Sequence, residues 1–209
     1  MAQFFQWRTR LNYYAMIDQV IDFVINTGRH RVVDFQTDTG AFALRLAARK
    51  SFAGCVYSFD NNVTLLERAR QRARLMNCHQ SVEFSHFAGG RWPIEDRSVE
   101  LAVSIFDLHR QSAEQFLGEA FRILSDGGHL LLAEVLEPKT ARGLLIWNLR
   151  KFQLKYVLKN PVEAQGVYYD REEAIRLLFQ TGFRQVIVQG LGKPALADQG
   201  VFSLMAATK

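Results

Sequence analysis

Two acidic residues next to strand-like runs are the first candidates for ligand chemistry. Asp34 lies in the β-branched run 31–35, and Asp60 directly follows the run 54–59. A carboxylate offers two oxygens, so it can accept hydrogen bonds from two hydroxyl groups at once. Open α/β sheets generally hold ligands at the carboxyl ends of their strands.

A histidine after a later strand-like run is a second candidate for chemistry. His109 follows the run 99–106, with Asp107 and Arg110 beside it. Imidazole changes its charge near neutral pH, so His109 is a candidate general base. The simpler interpretation is a solvated loop histidine, with Asp107 and Arg110 as surface groups.

Short β-branched runs alternate with helical patterns along the chain, and this alternation predicts the elements that position these residues. It is typical of βαβ units and a parallel sheet. The predicted strands are 31–35, 54–59, 81–86, 99–106, 129–135, 184–189 and 201–208. The predicted helices are 11–26, 39–50, 61–77, 112–124, 140–160 and 170–181. The short link between the last two strands predicts an antiparallel hairpin, and Asp126-Gly127-Gly128 predicts a turn before the fifth strand.

Length and composition favour a single domain over residues 1–209. The chain has 209 residues, of which 48% are hydrophobic and 22% charged, proportions typical of soluble globular proteins. Within this domain we predict an N-terminal helical cap over residues 1–28. We also predict a helical lid inserted over residues 139–165.

Several function classes are disfavoured by the sequence. The spacing of Cys55 and Cys78 matches neither a metal site nor a redox pair, so we expect no metal. No run is apolar and long enough to span a bilayer, and the N-terminus lacks the features of a signal peptide, which predicts a cytoplasmic protein. The net charge is +5, but no nucleic-acid module is present, so we expect no nucleic-acid partner. The arginines of the third helix predict a solvated outer surface: Arg68, Arg70, Arg72 and Arg74.

Several segments resemble the class I, S-adenosylmethionine-dependent methyltransferases. They are the first strand and its turn (32–40), the second strand with Asp60 (56–60), the approach to strand four (92–100), the approach to strand five (119–128) and the pair Gly182-Phe183. The resemblance extends from about Arg31 to Lys209. It implies a Rossmann-like seven-stranded sheet, mostly parallel with an antiparallel last strand, and helices on both faces. The layout is similar to small-molecule methyltransferases of type 11, including the ubiquinone and menaquinone C-methyltransferases.

The resemblance also implies a cofactor, S-adenosylmethionine, and methyl transfer to a small apolar or anionic molecule. Asp60 would hold the ribose hydroxyls, the turn 36–40 would meet the methionine end, and Ala88 would lie near the adenine. The cofactor-binding positions that it implies are Asp34, Gln36, Asp38, Gly40, Asp60, Asn61, Ala88 and Phe106.

The turn after the first strand departs from the family pattern. Gln36 and Asp38 stand where the family has glycine, and only Gly40 remains. A non-glycine residue at positive φ costs roughly 1–2 kcal/mol, and the two side chains could enter the cofactor space. At Ala88 a hydrogen bond to adenine would be missing. The alternative function is therefore a catalytically silent binding or regulatory subunit with this fold, which does not bind the cofactor.

A basic and apolar segment, residues 139–159, has two interpretations. Helices that follow strand five in this family often cap the substrate pocket, which favours a lid packed on its own domain. A basic helix with an apolar face could instead contact an anionic membrane. The aromatic residues near the N-terminus predict either a pocket wall or the contact of a homodimer: Phe4, Phe5, Trp7, Tyr13 and Tyr14.

Overall fold

The structure, a computed structural model, describes residues 13–152, 155–156, 165–191 and 202–209. The aromatic residues Phe4, Phe5 and Trp7 lie outside this part of the chain, as do the first residues of the predicted helix 11–26. The strands are β1 (Arg31–Phe35), β2 (Cys55–Asp60), β3 (Val82–His86), β4 (Val99–Ile105), β5 (Leu124–Val135), β6 (Arg184–Gly190) and β7 (Phe202–Thr208). The helices are α1 (Tyr13–Asn26), α2 (Ala41–Ala47), α3 (Val63–Leu75), α4 (Ala113–Ile123), α5 (Ala141–Phe152) and α6 (Arg171–Thr181), with a 3₁₀ turn at Leu108–Arg110.

The seven strands form one sheet in the order β3-β2-β1-β4-β5-β7-β6. Neighbouring strands from β1 to β5 are parallel, whereas β7 is antiparallel to both β5 and β6. The predicted mostly parallel sheet with an antiparallel last strand is confirmed. Parallel strands place their carboxyl ends at one edge, so the residues that follow β1, β2 and β4 lie close together.

The central strands β1 and β4 are buried on both faces, which explains why they are mostly apolar. Val32 on β1 packs into one core cluster with α1, α2 and α3. Its neighbour Val33 packs into a second cluster with α4 and α6. Successive side chains of a strand point to opposite faces, so the helices cover the sheet from both sides, as predicted.

Residues at the helix starts set the entry of the chain into α2 and α3. The Asn62 side chain accepts hydrogen bonds from the backbone N–H groups of Thr64 and Leu65, at 3.0 and 3.2 Å, and so caps the start of α3. Gly40 precedes α2 with φ of 78°. That left-handed residue belongs to the preceding turn, so α2 begins at Ala41 rather than at the predicted Thr39.

Strand β5 begins earlier than predicted and absorbs the expected turn. Its first residue, Leu124, pairs with Val99 of β4, and the register then shifts so that His129 pairs with Leu101. The predicted turn Asp126-Gly127-Gly128 lies inside this irregular stretch, where Gly127 has φ of 75°. An irregularity of this kind lets extra residues fit into a strand without ending it. In the described part of the chain, no helix combines the length and the apolar character needed to cross a membrane.

Candidate functional site

The turn between β1 and α2 has the backbone of a glycine-rich turn although two of its glycines are replaced. Gln36, Asp38 and Gly40 have φ values of 59°, 53° and 78°. Two backbone hydrogen bonds of 2.9 Å hold the turn, from Thr37 N–H to the Phe59 carbonyl and from Gly40 N–H to the Thr37 carbonyl. The left-handed conformation costs roughly 1–2 kcal/mol per non-glycine residue. The surrounding bonds and packing therefore impose this path on Gln36 and Asp38.

Asp60 is fixed at the carboxyl end of β2 by backbone donors from both sides. Its Oδ2 accepts the N–H of Asp38 at 2.8 Å, and its Oδ1 accepts the N–H of Asn62 at 2.8 Å. We call this arrangement the Asp60 clamp. The carboxylate is buried, and each oxygen retains a lone-pair site after accepting one bond. The clamp therefore orients a carboxylate that is still able to accept two hydroxyl groups.

Two arginine side chains of α3 bind carbonyl groups of neighbouring segments, one of them in this turn. Arg72 donates to the carbonyl of Thr39 at 2.6 Å, and Arg70 donates to the carbonyl of Phe84 in β3 at 2.6 Å. The prediction of a solvated arginine surface is thus correct for the exposed Arg68 and Arg74 but wrong for these two. A long guanidinium side chain reaches from a helix surface to carbonyl groups of an adjacent turn or strand, where it replaces water as the donor.

Gly40 is required at its position by packing as well as by conformation. A Cβ atom there would lie 3.0 Å from the side chain of Leu44 and 3.3 Å from that of Ala69. The close approach joins the start of α2 to α3. Gly40 is therefore the position of the turn where glycine is retained and where a side chain does not fit.

Carboxylates give this edge of the sheet a negative character. Burial raises the pKa of Asp34 from 3.8 to about 7, and the charge of Asp60 adds to the shift. The hydroxyl of Ser58 donates to Asp34 Oδ2 at 3.2 Å. The pKa of Asp38 is also raised, first by burial and then by Asp60. The pKa of Tyr13 in α1 is raised first by burial and then by the charges of Asp38 and Asp34. The Tyr13 hydroxyl therefore lies near these acids.

The remaining predicted cofactor positions flank the clamp with different degrees of exposure. Asn61 is exposed, and its carbonyl oxygen lies 3.2 Å from His86 Nε2. Ala88 is also exposed and follows Phe87, whose N–H donates to the carbonyl of Asp60 at 2.9 Å. Phe106 is half-buried with φ of 56°, and its ring centroid lies 6.2 Å from that of Tyr13.

The loop after β4 is organised by a buried glutamate of β5. Glu134 Oε1 accepts the backbone N–H groups of Asp107 and Leu108, at 3.1 and 3.0 Å. Asp107 is buried, so its prediction as a surface group is wrong, whereas Arg110 is exposed as predicted. Burial raises the pKa of Asp107 from 3.8 to about 7, and Arg110 opposes the shift. The amide of Gln111 donates to Asp107 Oδ2 at 3.0 Å.

His109 is 5% exposed, so its prediction as a solvated loop residue is wrong. The 3₁₀ turn directs the side chain inward, where its ring stacks on Tyr168 with centroids 4.7 Å apart and planes 11° apart. Its Nδ1 lies 4.0 Å from Glu134 Oε2. A Cβ on Gly166 would approach the His109 ring to 2.7 Å, so the segment after the predicted lid packs directly on this histidine.

Residues of the candidate site that the sequence analysis missed are Glu134 and Tyr168, and it assigned Arg72 to a solvated surface. Glu134 carried a signal, because it is an acid inside the apolar run 130–135 and a buried charge needs partners. Tyr168 and Arg72 carried none, since their contacts join segments far apart in the chain.

The part of the site around the Asp60 clamp, which we call the clamp half, comprises Asp34, the turn 36–40 and Asp60. It fits a ligand with a diol and a positive charge. Asp60 presents two acceptor oxygens, each of which already accepts one backbone N–H group. Buried carboxylates favour a cation beside them. S-adenosylmethionine carries ribose hydroxyls, an ammonium and a sulfonium, so the residues present fit it. Among the described residues, no group of His, Cys, Asp and Glu side chains is arranged to hold a metal ion.

The methyltransferase domain family matches residues 32–128 of the chain. The demethylmenaquinone methyltransferase of Deinococcus radiodurans is 35% identical over 116 residues, which cover 54% of this chain and 46% of the relative. The ubiquinone/menaquinone biosynthesis C-methyltransferase UbiE of Blochmanniella floridana is 21% identical over 169 residues, covering 75% of this chain and 66% of the relative. The chain thus matches between about half and two thirds of the length of these relatives.

A solved structure extends the similarity over nearly the whole chain. A SAM-dependent methyltransferase from Thermotoga maritima superposes with a TM-score of 0.71 and 20% identity, covering 99% of this chain and 94% of the other. At this identity the match establishes the fold.

Proposed function

We propose that this chain is a class I, S-adenosylmethionine-dependent methyltransferase, which binds S-adenosylmethionine and methylates a small apolar or anionic molecule; its similarity to this family in sequence and fold supports the proposal. The observation that carries the proposal is the Asp60 clamp, in which backbone N–H groups on both sides orient a buried carboxylate at the switch between β2 and α3. The left-handed residues of the adjacent turn support it, since they keep the path that glycines give this turn in the family.

Each residue of the clamp half has a role toward the cofactor. Asp60 would accept hydrogen bonds from the two ribose hydroxyls, and the turn 36–40 would face the methionine end. Asp34 and Asp38 would stabilise the positive charges of the cofactor, because opposite charges within a few ångströms attract strongly in a buried site. When bound, S-adenosylmethionine supplies an electrophilic methyl group.

The second part of the site, which we call the Glu134 half, comprises Asp107, His109, Glu134 and Tyr168. It would act on the methyl acceptor. His109 is proposed as the general base that takes the proton of the acceptor at Nε2, while Glu134, 4.0 Å from Nδ1, stabilises the imidazolium that results. General bases of this kind contribute typically 10²–10⁴-fold. Holding the acceptor in line with the methyl group would supply the rest of the rate enhancement, since orientation alone can lower the barrier by roughly 7–11 kcal/mol.

Demethylmenaquinone is the first acceptor to test, because it is named by a curated relative. The segment 139–165 is proposed as a lid over this acceptor. Its helix α5 buries Trp147 against Tyr168, with ring centroids 4.8 Å apart, and Tyr168 stacks on His109. A lid tied to the proposed base would bring the acceptor and the base together.

A thermal-shift titration of the whole chain with S-adenosylmethionine tests the cofactor step. Ligand at about 100 times its dissociation constant stabilises by about 2.7 kcal/mol, and each kcal/mol raises the midpoint of a domain this size by roughly 2–4 °C. We expect a saturable rise of several degrees. Asp60→Asn should lower this shift severalfold at the same cofactor concentration, and the exposed Glu95→Gln is the matched control.

Methyl transfer itself is measured by mass spectrometry of the acceptor after incubation with S-adenosylmethionine. No thermal shift at millimolar cofactor would overturn the proposal and leave the silent-subunit alternative. A shift without methylated acceptor would keep the cofactor site and reject the chosen acceptor.

A further inference from the structure

Helix α5 exposes a row of large apolar side chains. Leu145, Leu149 and Phe152 are 62%, 58% and 59% exposed, and their spacing of four and three residues places them on one face of the helix. Tyr156 continues the row, because it is 59% exposed and its ring centroid lies 4.7 Å from that of Phe152. We call these four residues the α5 stripe. A contiguous exposed apolar row marks an interaction surface.

The opposite side of α5 attaches the helix to the protein. Trp147 is 5% exposed and meets Tyr168 edge-on. The Lys151 ammonium lies 5.5 Å from the centre of the Trp147 ring and 5.3 Å from that of Tyr168. At 100° per residue, Trp147 and Lys151 point away from Leu149. The stripe is therefore the outer face of a helix that already has its core contact.

Positive charge surrounds the stripe. The sequence has no Asp or Glu between Pro138 and Val162. Arg142 and Lys155 are exposed beside the apolar row, and the Lys155 ammonium lies 5.1 Å from the centre of the Tyr156 ring. Lys139 differs, since its ammonium is 2.7 Å from the carboxylate of Glu172. Exposed apolar side chains flanked by exposed bases are complementary to an anionic surface with an apolar interior.

We propose that the α5 stripe docks the protein on an anionic lipid surface. Leu145, Leu149, Phe152 and Tyr156 would enter the boundary between headgroups and acyl chains, while Arg142 and Lys155 pair with anionic headgroups. Helices that lie in the interface bury their apolar face about 5–10 Å deep, and bases near an anionic surface are attracted to its headgroups. A second copy of the chain would bring the same positive charge to the contact, which disfavours self-association through the stripe.

Vesicle flotation with the full chain tests this docking without any methyl transfer, so its outcome is independent of the proposed activity. The protein is mixed with phosphatidylcholine vesicles or with vesicles that also contain phosphatidylglycerol. We expect flotation with the anionic vesicles, weakened by high salt because screening reduces the attraction. The double variant Leu149→Ser/Phe152→Ser should lower the partition coefficient about tenfold or more, since each side chain loses its transfer from water.

Matched controls separate docking from general effects of substitution. Leu75 is 87% exposed on α3, so Leu75→Ser should float like the wild type. Arg142→Glu/Lys155→Glu should weaken flotation, whereas Arg68→Glu/Arg74→Glu should not. Circular dichroism confirms the fold of each variant. The proposal is overturned if the wild type does not float with anionic vesicles, if the stripe variants float unchanged, or if sedimentation shows a dimer that the stripe variants dissociate.

Discussion

The two halves of the candidate site are built in different ways. In the clamp half, Asp60 is held by backbone N–H groups of Asp38 and Asn62, and the turn beside it keeps its path after two glycines are replaced. In the Glu134 half, backbone N–H groups also hold the glutamate, but His109 meets Glu134 and Tyr168 through its side chain. Backbone donors do not depend on side-chain identity, so the clamp half tolerates substitution in its turn. The contacts of His109 depend on the identity of each side chain.

The largest effect should follow from a change in the Glu134 half. His109→Gln removes the proposed base but retains a polar side chain, so kcat should fall about 100- to 10,000-fold. The dissociation constant of S-adenosylmethionine should change little. Steady-state kinetics with calorimetric binding measures both values, and the exposed His79→Gln is the control. Equal losses of binding and kcat would mean that His109 only supports the fold.

The next largest effect should follow from a change in the clamp half, and it should appear in cofactor binding rather than in kcat. Asp60→Asn replaces one acceptor oxygen by an amide donor and removes the charge. Hydrogen bonds to charged groups are worth roughly 1.5–3 kcal/mol, so the affinity for S-adenosylmethionine should fall about 100-fold. Calorimetric titration gives this value, with Glu95→Gln as the exposed control. An unchanged affinity would remove Asp60 from the cofactor site and break the comparison.

Buried acids in both halves should lower stability at alkaline pH. The pKa values of Asp34 and Asp107 rise from 3.8 to about 7 on folding. Because the folded protein keeps these protons up to about pH 7 while the unfolded chain loses them above about pH 4, their stabilising contribution is present below pH 4 and is lost as pH rises to about 7.

Asp34→Asn and Asp107→Asn remove this titration. The free energy of unfolding of each variant, relative to the wild type, should therefore be higher at pH 8 than at pH 5. The gain should be on the order of 2 kcal/mol per site. Thermal midpoints at the two pH values measure it. If the difference in midpoint between variant and wild type is the same at both pH values, these carboxyls do not titrate between pH 5 and pH 8.

The smallest effect should come from restoring glycine in the turn. Gln36→Gly relieves the cost of a left-handed side chain but adds freedom to the unfolded chain, so stability should change by about 1 kcal/mol or less. Cofactor affinity should stay within about threefold, because the backbone donors remain. Gly40→Ala is the contrasting variant, since its Cβ would press on Leu44 at 3.0 Å, and it should lose about 2 kcal/mol. Similar losses in both variants would show that the turn depends on its side chains after all.

The same contrast explains what the sequence could predict. The strands, their parallel or antiparallel directions and the positions of Asp34 and Asp60 followed from the hydrophobic pattern and the resemblance. The pattern and the resemblance both depend on local residues. The start of β5 at Leu124 did not, since it depends on pairing with Val99 across the sheet. His109 was placed in solvent because its stacking partner, Tyr168, lies far along the chain and inside no recognisable motif.

The position of β7 constrains how the chain reaches its native state. β7 lies between β5 and β6 although it follows both in the sequence. While the chain is being synthesised, β6 therefore has no partner in the sheet, and the apolar residues Leu130–Ala133 of β5 present an open edge. Unpaired edges of this kind promote association between chains. Insertion of β7 is consequently the step that ends the exposure of nascent molecules to aggregation.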